Sequence, residues 1–149
     1  MTNYFAYGSN LDSAQMVKRC PNAIVKTAGF INNYKLDFTI YSPKRNCGCA
    51  DIVANTGDKV WGVIYELTEE DLASLDRAEN HPISYHRISV NIVDESGTNI
   101  PCETYEVVNK SVEFLPPSRD YLNQIINGAK KYQLPLDYIE KLQVIDTLD

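Results

Sequence analysis

The first half of the chain is patterned as strands, in short β-branched and aromatic blocks punctuated by turn residues. Residues 3–7 form an apolar-aromatic run that stops at Gly8-Ser9-Asn10, which is turn chemistry, and Asp12 or Ser13 can cap a short helix that Pro21 ends. Residues 23–30, 34–41, 51–55 and 60–67 are strand-like blocks separated by Asn-Asn, Ser-Pro and Thr-Gly-Asp turn signals. They predict four consecutive strands of a mostly antiparallel sheet.

Thr68-x-x-Asp71 resembles a capping box, and residues 68–79 have the composition of a helix whose buried stripe carries Leu72 and Leu75. Residues 85–93 and 99–108 predict two further strands joined through Glu95-Ser96-Gly97 as a hairpin. Ser118 caps a helix running through Tyr121, Leu122, Ile125, Ile126 and Ala129, and Pro135 suits the first turn of a last helix ending near Val144. Strands outnumber helices and the connections are short. The expected class is α+β, a closed or strongly curved sheet flanked by a few helices, with residues 1–149 as one unit.

Composition narrows the partners. Among 149 residues, 14 are Lys or Arg and 20 are Asp or Glu, a formal charge of −6 with no basic cluster beyond isolated pairs such as Lys44-Arg45. That balance predicts no nucleic-acid partner and no anionic-membrane surface. The N-terminus has neither a basic n-region nor an apolar h-region, and no apolar stretch approaches the roughly 20 residues of a membrane span, so a soluble, untargeted, cytoplasmic protein is expected. Cys20, Cys47, Cys49 and Cys102 are read as reduced thiols. Cys47-Gly48-Cys49 has one intervening residue where zinc ligands have two to four, so no metal is expected.

No Gly-rich phosphate loop and no nucleophile elbow is present, so no cofactor is expected either. Two features remain. A strand-to-helix turn at Gly8-Ser9-Asn10 leaves backbone N–H groups without internal partners, able to receive a carboxylate or an oxyanion; the plainer alternative is an ordinary capped turn. Glu79 falls on the stripe of Leu72 and Leu75 at i, i+3 and i+7, and at the helix C-terminal end burial and dipole both disfavour its charge. A carboxyl so placed suits a general base at neutral pH; the alternative is a solvated residue beyond the last turn. His81 and His86 fit surface or hairpin positions better than catalytic ones.

These features carry a resemblance. The segments YFAYGSN, Ala50-Asp51, VWGVIYEL, LDRAEN and PPSRDYLNQIINGAKKYQLPLDYIEKL are similar to those of the γ-glutamylcyclotransferases, a family with the AIG2-like fold. The resemblance implies a small twisted, mostly antiparallel β-barrel with flanking helices. It also implies cyclisation of a small-molecule γ-glutamyl amino acid or γ-glutamylamine to 5-oxoproline with release of the free amino acid or amine, without cofactor or metal, and it admits a homodimer. The catalytic glutamate falls on Glu79. The substrate-binding segment falls on Tyr4, Phe5, Ala6, Tyr7, Gly8 and Ser9, completed by Asn10 and Leu11, with Tyr121 closing the pocket and Tyr105 and Tyr85 nearby. Where the family usually places Gly after the glutamate this chain has Asn80, the next best residue for a left-handed turn. A catalytically silent small-ligand-binding module of the same fold is the alternative, and a hydrolase would release glutamate in place of 5-oxoproline.

Overall fold

Strand propensity outlasts two of the turn signals. In the computed structural model, which describes residues 1–149, the four blocks expected between residues 23 and 67 are two long strands, β2 (Ile24–Ser42) and β3 (Cys47–Leu67), paired antiparallel from Ile24↔Glu66 to Ser42↔Cys47. Only Ser42-Pro43 begins a reversal. The Asn-Asn and Thr-Gly-Asp signals lie opposite each other, where the register jumps from Asn32↔Lys59 to Tyr34↔Ala54. Asn33 takes φ 65° and Gly57 φ 89°, and the Gly57 N–H donates to Asn33 Oδ1 (3.0 Å). Turn residues facing one another across a ladder thus make one shared bulged corner instead of two hairpins, and both strands bend together.

Around this ribbon, β1 (Thr2–Ala6) lies along β3, and β4 (Tyr85–Asp94) and β5 (Asn99–Val107) form the expected hairpin. The order β1-β3-β2-β4-β5 closes into a barrel, antiparallel except where β5 meets β1. That last seam has a single paired position, Tyr4↔Glu103, and side chains reinforce it. Thr104 Oγ1 donates to the Phe5 carbonyl (2.8 Å) and Tyr7 OH to the Tyr105 carbonyl (2.6 Å).

Four helices flank the barrel: α1 (Ser13–Arg19), α2 (Glu69–Ala78), α3 (Arg119–Lys131) and α4 (Leu136–Gln143). Their caps are the expected ones at Asp12, Thr68 and Ser118. The box at Thr68 is one-sided, however: Thr68 Oγ1 accepts from the Asp71 N–H (3.1 Å), but the buried Asp71 carboxylate turns away to the Asn22 N–H (2.9 Å), tying α2 to the segment after α1. The inner stripe of α3, Tyr121, Leu122, Ile125, Ile126 and Ala129, joins the barrel core as its spacing predicts. No helix is long and apolar enough to cross a membrane.

The fully buried Asp51 is the polar centre of the core. Its carboxylate accepts from Thr39 Oγ1 (2.7 Å), the Ile52 and Val107 N–H groups (2.8 and 2.9 Å) and Lys110 Nζ (2.7 Å), so β3 grips the end of β5 where no ladder joins them. Each carboxylate lone pair is used, which is what makes such burial tolerable. Asp51→Ala leaves the buried Val107 amide and Thr39 hydroxyl without their acceptor and removes one of the two carboxylates that Lys110 faces, the other being Glu106. Its expected effect is a loss of about 3–5 kcal/mol of stability, measured as a lower urea midpoint at unchanged slope.

Candidate active site

Helix α2 presents its C-terminal end to the open rim of the barrel. Leu75 is fully buried, and Glu79, one turn later on the same face, caps the helix with its N–H on the Leu75 carbonyl (2.9 Å). The chain then reverses through Asn80 at φ 52°, and the His81 N–H returns to the Asp76 carbonyl (2.9 Å). Asn takes the left-handed position here, as expected from the sequence. The reversal leaves the Glu79 side chain 17% exposed, at the wall of a small cavity between the end of β1, the start of β4, β5 and α3.

Asn10 organises the carboxylate. It is buried, its Nδ2 donates to Tyr4 OH (2.9 Å) and approaches Glu79 Oε1 (3.5 Å), and its Oδ1 accepts from Gln15 Nε2 (2.9 Å) and an Arg19 N–H (3.1 Å). The Arg19 guanidinium also stands 3.5 Å from Glu79 Oε1. Burial dominates all the same and holds the Glu79 carboxyl above its ordinary value, while the positive charges of Arg19 and Arg45 and the Asn10 hydrogen bond pull the other way. Glu79 is the one carboxylate lining this cavity.

Five tyrosines wall the cavity, with unequal chemistry. Tyr7, Tyr85 and Tyr105 donate their hydroxyl hydrogens to the carbonyls of Tyr105 and Ala50 and to Asp76 Oδ1 (2.6, 2.8 and 2.5 Å). Tyr4 and Tyr121 only accept, from Asn10 Nδ2 and from the Ala50 N–H (both 2.9 Å), so each keeps a hydroxyl hydrogen that no protein oxygen receives. Burial pushes both phenols far above their ordinary value, so these hydrogens remain in place at any working pH. The Gly8 N–H likewise has no acceptor, and an added Cβ at Gly8 would stand 3.3 Å from the Ala50 Cβ and 3.9 Å from Tyr121 OH.

Most of the anticipated site residues thus meet: Glu79, Tyr4, Tyr7, Gly8, Ser9, Asn10, Tyr85, Tyr105 and Tyr121 all line the cavity. Phe5, Ala6 and Leu11 do not. Strand alternation turns Phe5 to the side away from Tyr4, the Ala6 methyl is enclosed in the core, and Leu11 is fully buried against Gly128 of α3, where an added Cβ would fall 2.4 Å from the Leu11 carbonyl oxygen. His81 accepts from the Arg87 N–H (3.3 Å) and His86 pairs with Glu106; neither reaches the cavity. Sequence reasoning missed Gln15, Arg19, Arg45 and Ala50. Gln15 and Arg19 stand at i and i+4 on one face of α1, a spacing that was available, whereas the other two depend on the β2–β3 ribbon folding over the site.

The cavity opens past Ser9, Glu79, Tyr85 and Tyr121 into a wider vestibule that Arg19, Arg45 and Cys49 also line. Burial pushes the Cys49 thiol up to about 11, so it is protonated at neutral pH and no rival nucleophile.

Residues 59–142 match the AIG2-like family model. The chain is 36% identical to the gamma-glutamylcyclotransferase of Bos taurus and 37% identical to that of Homo sapiens, in each case over 98% of this chain and 79% of the relative. It belongs to the AIG2-like, gamma-glutamylcyclotransferase family. A solved gamma-glutamyl cyclotransferase superposes with a TM-score of 0.93 at 36% identity, over 99% of this chain and 89% of the other. The family's barrel is therefore present nearly whole, with a glutamate standing in its cavity.

The raised Glu79 carboxyl carries a stability signature. A folded value above the unfolded one means that ionisation is harder in the native state, so stability is full below the ordinary carboxylate range and declines as pH rises through the raised value. Glu79→Gln is expected to melt at the wild-type temperature near about pH 4 and above it at about pH 8, measured by calorimetry across that span. Arg19→Met, by removing an opposing positive charge, moves the Glu79 titration to still higher pH, observable by NMR of the side-chain carboxyl.

Proposed function

We propose that the chain is a γ-glutamylcyclotransferase in which Glu79 moves the protons. The observation that carries this reading is a lone carboxylate, destabilised as an anion by burial, in the cavity of a chain 36–37% identical to gamma-glutamylcyclotransferases over nearly its whole length. The α-nitrogen of a γ-glutamyl compound is tethered close to its own γ-carbonyl, so folding the glutamyl chain converts cleavage into a ring closure.

Ammonium of pKa about 8 first yields a proton to the Glu79 carboxylate, and burial narrows the gap that this transfer must cross. The freed amine attacks the γ-carbon; the new C–N bond gives a tetrahedral oxyanion with a cationic ring nitrogen. Protonated Glu79 then gives its proton to the departing nitrogen, the old C–N bond breaks and the carbonyl re-forms. The ring nitrogen returns its second proton through Glu79 to the freed amine, leaving 5-oxoproline and an ammonium. One carboxylate serves every transfer, so no water or cofactor is consumed.

The Gly8 N–H and the unspent hydroxyl hydrogens of Tyr4 and Tyr121 supply donors for the oxyanion or the glutamyl carboxylate. Tyr7, Tyr85 and Tyr105 act as walls, their donors already committed. Four buried, unpaired cysteines suit a reducing compartment such as the cytoplasm. A silent binding module is disfavoured, because binding alone gives no reason to bury an acid in the cavity.

Glu79→Gln keeps the shape and loses the proton transfer; kcat for 5-oxoproline release is expected to fall roughly 10²-fold or more, with KM little changed. Retention of a tenth of wild-type kcat would remove Glu79 from this role. Acetylating the substrate's α-nitrogen is expected to stop amine release altogether, whereas a hydrolase would still liberate the amine. Gly8→Val pushes methyl groups toward Ala50 and Tyr121 and is expected to lower kcat/KM about tenfold or more while costing little in melting temperature.

A further inference from the structure

Beyond the cavity that holds Glu79, the vestibule contains a cation with no ion-pair partner. Arg45 stands in the turn between β2 and β3, its guanidinium 4.7 Å from the centre of the Tyr121 ring. It donates to Gln124 Oε1 and Gln15 Oε1 (both 2.9 Å), and no carboxylate lies within ion-pair distance of it. Two neutral amides and an aromatic face therefore fix the direction of this guanidinium without discharging it, and a guanidinium has five N–H donors, more than these two bonds use.

The orientation of the substrate follows from the single base. Glu79 has to reach both the α-nitrogen and the departing nitrogen, so the glutamyl group occupies the inner cavity and the departing side leaves past Ser9, Glu79, Tyr85 and Tyr121 into the vestibule. In a γ-glutamyl amino acid the carbon attached to the departing nitrogen bears a carboxylate. We propose that Arg45 is a specificity-determining residue, receiving the α-carboxylate of the departing amino acid in the vestibule and so selecting γ-glutamyl amino acids over γ-glutamylamines. The assignment rests on the cyclotransferase reading above.

Charge supports the match. Across cavity and vestibule the guanidinium groups of Arg19 and Arg45 face one carboxylate, Glu79. A γ-glutamyl amino acid brings two carboxylates and one ammonium, which balances that excess; a γ-glutamyl alkylamide is neutral and does not. An arginine that merely clasped the β2–β3 turn to α1 and α3 through Gln15 and Gln124 would have no preference between the two.

The test is a substrate pair that differs only in that carboxylate. The kcat/KM for 5-oxoproline formation from γ-glutamylalanine and from γ-glutamylethylamide is measured at one pH for wild type, Arg45→Met, Arg45→Gln and Arg45→Lys. Wild type is expected to favour the alanine derivative by roughly 10- to 100-fold, the scale of a charge-assisted hydrogen bond. In Arg45→Met and Arg45→Gln the ratio falls to near one, and Arg45→Lys retains part of it. Any change that loss of Arg45 makes at Glu79 acts on both substrates and cancels in the ratio. A wild-type ratio near one overturns the proposal without need of a variant, as does a ratio that survives in Arg45→Met, or an equal fall for both substrates. If wild type releases 5-oxoproline from neither compound, the cyclotransferase reading itself fails, and the assignment of Arg45 falls with it.

Discussion

Everything at the site hangs on how the barrel closes between β5 and β1. A seam with one paired residue leaves main-chain donors and acceptors to be satisfied by side chains, and the chain supplies Thr104 to Phe5, Tyr7 to Tyr105 and the Asp51 carboxylate to Val107. The same weak pairing lets the end of β1 part from its neighbour. The cavity opens there, where the next residues, Gly8 to Asn10, are free to turn. A fully laddered barrel would have been tighter and would have had no room for a substrate.

The residues beside Asp51 extend this closure into the site. Ala50 is gripped on both sides, its N–H by Tyr121 OH and its carbonyl by Tyr85 OH, so α3 and the start of β4 are hung on one residue of β3. These bonds decide which tyrosine hydroxyls are spent and which remain for a ligand. Geometry of that kind is rigid because Ala50 and Tyr121 are buried and each bond uses a main-chain partner.

Glu79 shows what the site costs the fold. A carboxylate at a helix C-terminal end, shielded from water, is disfavoured as an anion, and the guanidinium of Arg19 and the amide of Asn10 offset only part of that. The residual disadvantage is the same quantity that draws its proton affinity toward that of an α-ammonium. Stability lost and basicity gained are two statements of one free energy.

Local pattern determined much of this protein. The α+β class, the helix caps at Asp12, Thr68 and Ser118, the buried stripe of α3, the left-handed turn at Asn80 and the placing of Glu79 beside Leu75 were all legible, because each depends on residues within a turn or two of one another. So was the likeness of YFAYGSN and LDRAEN to one enzyme family. Tertiary structure decided what lies across the barrel. Asn32-Asn33 and Thr56-Gly57-Asp58 look like two turns until they are set face to face, when they become one bulged corner in a continuous ladder. Phe5 and Leu11 belong to the YFAYGSNL segment and still leave the site for the core, since strand alternation and contact with Gly128 outweigh neighbourhood in sequence. Which tyrosines can still donate, and that Arg45 faces the vestibule without an ion-pair partner, depend on partners up to about a hundred positions away in the chain. Pairings at that separation are set by barrel closure, and no local spacing encodes them.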